Sequence, residues 1–184
     1  MVLTKCRENG TISSMKIIEN TESFDMLTKE EIKKIEKTIG YTFRDVTLLN
    51  QAFTRSSYTS ENFESRDNEV LQFFGDAILS YVVCTILLDR CTGRDNDGLF
   101  SYMQESDFIN MRDSRTNHAY LAKKMKALQL SQYLISGSGE EKDEFAESEE
   151  ALANLAESLI SAVYIDSDRD IETVRMIGCY LFGL

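Results

Sequence analysis

Positive charge is scarce in this chain of 184 residues. Twenty Lys and Arg stand against 31 Asp and Glu, a net charge of -11. That excludes binding nucleic acid by bulk attraction, which needs a positive field around the protein, but leaves room for a local basic groove. Long hydrophobic runs are missing as well. No apolar run approaches the roughly 18 residues of a membrane span, and the N-terminus lacks the apolar stretch of a signal peptide. No membrane partner is expected, and the expected location is intracellular, most simply cytoplasmic. Cysteine is sparse and unpatterned. Cys6, Cys84, Cys91 and Cys179 form neither a Cys-x-x-Cys nor a Cys/His metal spacing. Cys84 and Cys91 fit one helix face, yet reduced and mostly buried thiols are the simpler account. Repeats and low-complexity segments are absent. What remains is 42% hydrophobic, enough for the core of one compact domain.

The pattern is helical throughout. Residues 1–26 show no sustained period and read as a partly ordered extension, with a short apolar anchor around Met15–Ile18. Thr28-Lys29-Glu30-Glu31 has the look of a capping box, and Ile32, Ile35 and Ile39 mark a helix face that stops at Gly40. Asp45 can cap a second helix through Leu48, Leu49 and Phe53. Thr59 to Asp67 reads as a polar loop. Residues 102–128 read as helical and carry a basic cluster of Arg112, Arg115, His118, Lys123, Lys124 and Lys126. These either touch phosphates, which would position rather than specify, or form a solvated face. Gly137-Ser138-Gly139 lacks the helix-opening continuation of a nucleotide fingerprint and reads as a loop. Glu140 to Glu150 carries seven acids and one base, a solvated loop leading into a helix rather than a metal-collecting segment. A helix from Glu149 to Ser167 has Leu152, Leu155, Leu159, Ala162 and Val163 as its apolar stripe, with Asn154 and Glu157 on another face. A last helix spans about 170–182.

The most informative stretch runs from Asn68 to about Asp89. At about 100° per residue, Val70, Phe74, Ala77, Ile78 and Tyr81 share one broad apolar stripe, while Glu69, Gln72 and Asp76 fall on the other side. The plain reading is an amphipathic core helix with a wet polar face. Gly75 costs such a helix roughly 1 kcal/mol against Ala, so something is expected to pack close to it. Phe73 and Phe74 cannot easily both face one small core.

Asn68-Glu69-x-Leu71-x-Phe73-x-Gly75-Asp76-Ala77-x-Leu79 resembles the signature helix of the ribonuclease III catalytic domain, usually Asn-Glu-x-Leu-Glu-Phe-Leu-Gly-Asp-Ala. Ala153-Asn154-Leu155-Ala156-Glu157, continuing through Ala162, Tyr164 and Asp166, resembles the family's later motif Ala/Gly-Asp-x-x-Glu-x-x-x-x-Ala-x-Tyr-x-Asp. Ile35-x-x-x-Ile39-Gly40-Tyr41-Thr42-Phe43 and Leu48-Leu49-x-x-Ala52-Phe53-Thr54-x-x-Ser57-Tyr58 resemble the start of the domain, with Arg55 where His is common. Asp97-Gly98-Leu99-Phe100-Ser101 resembles the acidic start of the next helix, and Tyr133-Leu134-x-x-Gly137-x-Gly139-Glu140 the connection before the second motif. Gln104 stands where a basic residue is usual, and a few residues look inserted around Met111–Thr116. The resemblance covers about residues 34–184. It implies the all-α, dimeric ribonuclease III endonuclease fold over residues 27–184. The double-stranded-RNA-binding domain that normally follows in the family is not expected within this chain.

Phosphodiester hydrolysis without a protein nucleophile needs an activated water and stabilisation of an anionic transition state. Mg²⁺, as one ion or two, supplies both, and as a hard cation it wants oxygen ligands. The resemblance places the metal ligands at Gln72, Asp76, Asn154 and Glu157. It places Glu69 and Asp97 at outer acidic positions, so that Asp76, Glu157, Glu69 and Asp97 are the candidate catalytic acids. Asp97 reads equally as a plain turn or cap residue. Two of the four ligand positions have changed from acid to amide. An amide oxygen can still ligate but lacks the charge and cannot act as a general base. Mg²⁺ (or Mn²⁺) is therefore expected to be weakly held if at all, and cleavage greatly weakened or absent. Near-isosteric acid-to-amide changes suit both an engineered inactivation and a naturally non-catalytic member. The resemblance also implies double-stranded RNA as substrate and a homodimer in which Phe73 inserts into the partner. Two alternatives stay open. One is a non-catalytic subunit that binds RNA or dimerises with an active family member. The other is an unrelated acidic helical module, for which both motifs would be coincidence.

Overall fold

The computed structural model describes residues 27–63, 65–139 and 148–184. The expected N-terminal extension and most of the acidic run at 140–150 lie outside the described residues.

Thr28 opens α1 (Lys29–Ile39) with the expected capping box, and Gly40 closes it in the left-handed conformation at φ 73°. Only a glycine adopts that conformation without steric cost, which is why the helix stops there. Asp45 caps α2 (Val46–Phe53) by accepting the Thr47 N–H. A short helix, α3 (Ser56–Glu61), runs into the start of the segment expected as a polar loop; it is mostly Ser and Thr, with Tyr58 as its one buried residue and no apolar period. Next come α4 (Glu69–Cys91) and a two-stranded antiparallel hairpin, β1 (Gly93–Asp95) with β2 (Gly98–Phe100). α5 (Glu105–Thr116) and α6 (His118–Ala127) follow. A single 3₁₀ turn at Ser131–Tyr133 leads on to α7 (Glu149–Asp166) and α8 (Ile171–Phe182). The fold is thus helical as expected, with one small hairpin added.

One expectation is refined and two are corrected. Residues 102–128 are largely helical as expected, but in two helices. Asn117 leaves helical geometry and caps α6 by accepting the Tyr120 N–H, so the basic cluster is split between two helices. The segment from Asp97 does not start a helix but turns the hairpin, where the Asp95 carboxylate accepts the backbone N–H groups of Asp97 and Gly98. Among the described residues the thiols are not mostly buried, since Cys84 is exposed and Cys91 and Cys179 are partly so.

The core forms around α7, which packs against α2, α4, α6 and α8. Thirteen of its eighteen residues are buried. Its apolar character is therefore not confined to the five-residue stripe: Ala151, Ala153, Ala156, Ile160 and Ser161 are covered as well. A helix enclosed on every side is the central element of a domain, and the small residues let its neighbours approach closely.

α4 departs furthest from expectation. Its buried face is Leu71, Gly75, Leu79, Val82, Val83, Ile86 and Leu87. The stripe read as the core face points outward instead, with Val70 61%, Phe74 53% and Tyr81 57% exposed. Phe73, beside it, is 74% exposed. Two apolar faces make the helix long and apolar enough to cross a membrane, with a mean hydropathy of 1.8, where no such run was expected. In this fold one of those faces packs into the core.

Candidate active site

The two motif helices meet at Gly75. A Cβ built there would stand 1.9 Å from the carbonyl oxygen of Glu157, well inside van der Waals contact. The expectation that something packs close to Gly75 is met by the main chain of α7. Asn68, at the head of α4, fastens the same junction. It is buried and donates its amide to the Ala52 carbonyl at 3.3 Å, its N–H to the Thr54 carbonyl at 2.9 Å, and its own carbonyl accepts the Ser158 hydroxyl at 3.3 Å. One side chain and its peptide thus join α2, α4 and α7.

This junction brings all four candidate ligand positions together. One turn before Gly75 and Glu157 on their respective helices, Gln72 Nε2 donates to Asn154 Oδ1 at 2.9 Å. Asp76 is exposed, and Glu157 is only 4% exposed. Burial pushes the Glu157 carboxyl up to about 7, and the negative charge of Asp76 adds to the push. Two groups not assigned to the site from the sequence lie beside it. His118 Nε2 stands 4.0 Å from Glu157 Oε1. Arg112 pairs with Asp113, and its charge also reaches Asp76. The signal for His118 was its place just after the Asn117 cap, which opens α6.

The outer acids are placed differently. Glu69 is exposed in the first turn of α4, three residues before Gln72. Asp97 is exposed in the hairpin that follows the far end of α4. From Asp76 to that end is fifteen residues of helix, about 22 Å. Among the described residues, no three of His, Cys, Asp and Glu converge as a metal-binding group.

A second latch fixes the end of α7. The buried Asp166 carboxylate accepts the Tyr41 hydroxyl at 2.7 Å and the N–H groups of Arg44 and Asp45 at 2.9 and 2.7 Å. Burial raises the carboxyl, but these donors outweigh it and hold Asp166 below the usual carboxylate range. Burial, then the bond to Asp166, drives the Tyr41 phenol upward.

The family model described as Ribonuclease-III-like matches residues 45–176, a stretch that contains both motif helices. The chain belongs to the ribonuclease III family. It is similar to Ribonuclease 3 of Treponema succinifaciens, 32% identical over 151 residues, covering 82% of this chain and 41% of that protein. Ribonuclease 3 of Buchnera aphidicola is 38% identical over 143 residues, covering 78% of this chain and 56% of that protein. The chain thus spans about half the length of the curated relatives it matches. Among solved structures, the nuclease domain of ribonuclease III from Campylobacter jejuni matches at a TM-score of 0.70 and 28% identity. The match covers 82% of this chain and 95% of that one, and that domain is described as flexible in its dimer-forming region. The all-α ribonuclease III nuclease fold is therefore the fold of this chain.

Proposed function

We propose that this chain is a ribonuclease III nuclease domain that engages double-stranded RNA as a homodimer, and whose own metal-dependent cleavage is weakened or lost. The observation that carries this reading is the hydrogen bond between Gln72 and Asn154 in the middle of the four ligand positions. The donor set does not fit a pair of divalent ions. Only Asp76 and Glu157 are acids there, giving a formal charge of -2 where four carboxylates would give -4. One amide oxygen already accepts a hydrogen bond, and Glu157 is buried and readily protonated. Losing two charges beside a dication costs several kcal/mol at an effective dielectric of about 20. On this reading Mg²⁺ or Mn²⁺ is weakly held if at all, with Glu69, one turn before Gln72, as the outer acid on the same helix; Asp97 sits in the hairpin beyond the far end of α4 and takes no part in it. The setting we propose is the reducing interior of a cell, most simply the cytoplasm, which suits the three unpaired thiols among the described residues.

The homodimer reading is supported by the outward stripe of α4. Val70, Phe73, Phe74 and Tyr81 are each more than half exposed. Beside them lies an open cleft of about 700 Å³ lined by Phe74, Ile78, Tyr81, Tyr164, Ile165 and Ile171. A contiguous apolar surface of this kind marks an interaction site, and Phe73 has the size and exposure to enter the same cleft on a second copy.

The second reading, a non-catalytic subunit that binds RNA or pairs with an active family member, is favoured by the same amide pair. Cleavage of a labelled RNA duplex separates the two, run in Mg²⁺ and Mn²⁺ beside a Gln72→Glu/Asn154→Asp version. A reverted protein that cuts where this chain does not makes the scaffold a nuclease silenced at its ligands. If neither cuts while both dimerise, the catalytic reading fails.

A further inference from the structure

The Gln72–Asn154 bond does more than remove charge. It joins residues 82 apart in the chain, one on each of the two helices that build the cleft. Two ionised carboxylates at these positions would hold only acceptors. They would repel each other unless a cation stood between them. A carboxamide carries both donor and acceptor, so the amide pair makes the same cross-link with nothing in between. The pair sits one turn from the place where Gly75 touches the Glu157 backbone. The separation of α4 and α7 is fixed there by the main chain, and the 2.9 Å bond uses the space between the two side chains directly.

We propose that Gln72 and Asn154 form a cation-free clasp between α4 and α7, so that the stability of this domain does not depend on divalent ions. The inference rests on the reading of these positions as former ligand positions, but it concerns what the residues do now. Melting temperatures of the 184-residue chain in EDTA, Mg²⁺ and Mn²⁺ test it. The wild type is expected to melt at one temperature in all three. Gln72→Ala and Asn154→Ala should each lower it by roughly 2–4 °C, the loss of one hydrogen bond in a domain of this size. The double alanine variant should fall little further than either single, because both remove the same bond. Gln72→Glu/Asn154→Asp should melt below the wild type in EDTA and climb saturably with Mn²⁺. A wild type whose melting temperature rises saturably with Mg²⁺ or Mn²⁺ overturns the clasp, as do alanine effects that simply add. A reverted variant that melts below the wild type in EDTA and ignores both cations supports the clasp, and it removes the ligand reading of the four positions instead.

Discussion

Replacing Glu157 with Gln should change how stability depends on pH, in a direction fixed by the burial of this side chain. Glu157 is 4% exposed and faces the charge of Asp76, and its carboxyl is lifted from an ordinary value of 4.5 to about 7. Between those values the folded state keeps a proton that the unfolded chain has released. Stability from this group is therefore fully present below pH 4.5 and is lost as pH rises through 7. A lift of this size corresponds to about 3 kcal/mol at 1.36 kcal/mol per unit. Glutamine has the same shape and no proton to lose, so the variant escapes this decline. Urea unfolding followed by circular dichroism at pH 5, 6, 7 and 8 gives the difference between variant and wild type. That difference should move in favour of the variant by roughly 2–3 kcal/mol between pH 5 and pH 8, the first part of the loss having occurred below pH 5. The same comparison is run in a His118→Gln background, because His118 is the group 4.0 Å from the Glu157 carboxyl. A difference that stays constant across this range, or that moves towards the wild type with rising pH, refutes the account of Glu157 as a carboxyl held neutral by burial.

Three other outcomes follow from the structure. Gly75→Ala gains roughly 1 kcal/mol of helix propensity but puts a methyl 1.9 Å from the Glu157 carbonyl oxygen. Main chain cannot step aside as a side-chain tip can, so the net effect should be a destabilisation of about 3 kcal/mol or more, read by denaturant unfolding. Phe73→Ala removes a ring that is 74% exposed. It should leave monomer stability within about 0.5 kcal/mol while weakening self-association at least tenfold, read by sedimentation over a concentration series. Asp166→Asn loses the charge that accepts three donors and should cost about 2–4 kcal/mol. Because the folded Asp166 carboxyl is held below its ordinary value, the stability it lends is present above that ordinary value. It disappears as pH falls through the folded one, the opposite sense to Glu157. Unfolding measured from pH 7 down to pH 2 checks this.

The sequence carried much of this architecture in plain view. Thr28, Gly40 and Asp45 begin or end α1 and α2 where their capping chemistry predicts, and the two motif helices fall close to their expected spans. Gly75 announced a close neighbour, and Gln72, Asp76, Asn154 and Glu157 come together as their order suggested. What periodicity could not tell was which of two apolar faces of α4 is covered. Val70 and Phe74 are as hydrophobic as Leu71, Leu79 and Val82, and only the position of α7 decides between the two faces. The break at Asn117 was hidden because its flanks, α5 and α6, are both helical, so a cap between them leaves the period nearly intact. The burial of Glu157 was hidden because a carboxylate three residues from a polar Asn looks like the edge of a wet face.

The contact between Gly75 and the Glu157 carbonyl has a consequence for how this protein can change over generations. It fixes the spacing of the cleft through atoms every amino acid possesses, so the residues at 72, 76, 154 and 157 can be exchanged without moving the frame that holds them. Chemistry at such a junction is inherited separately from shape. On the function proposed above, two single-site changes would suffice to silence the site and two to restore it, whereas a change at residue 75 would disturb the frame itself.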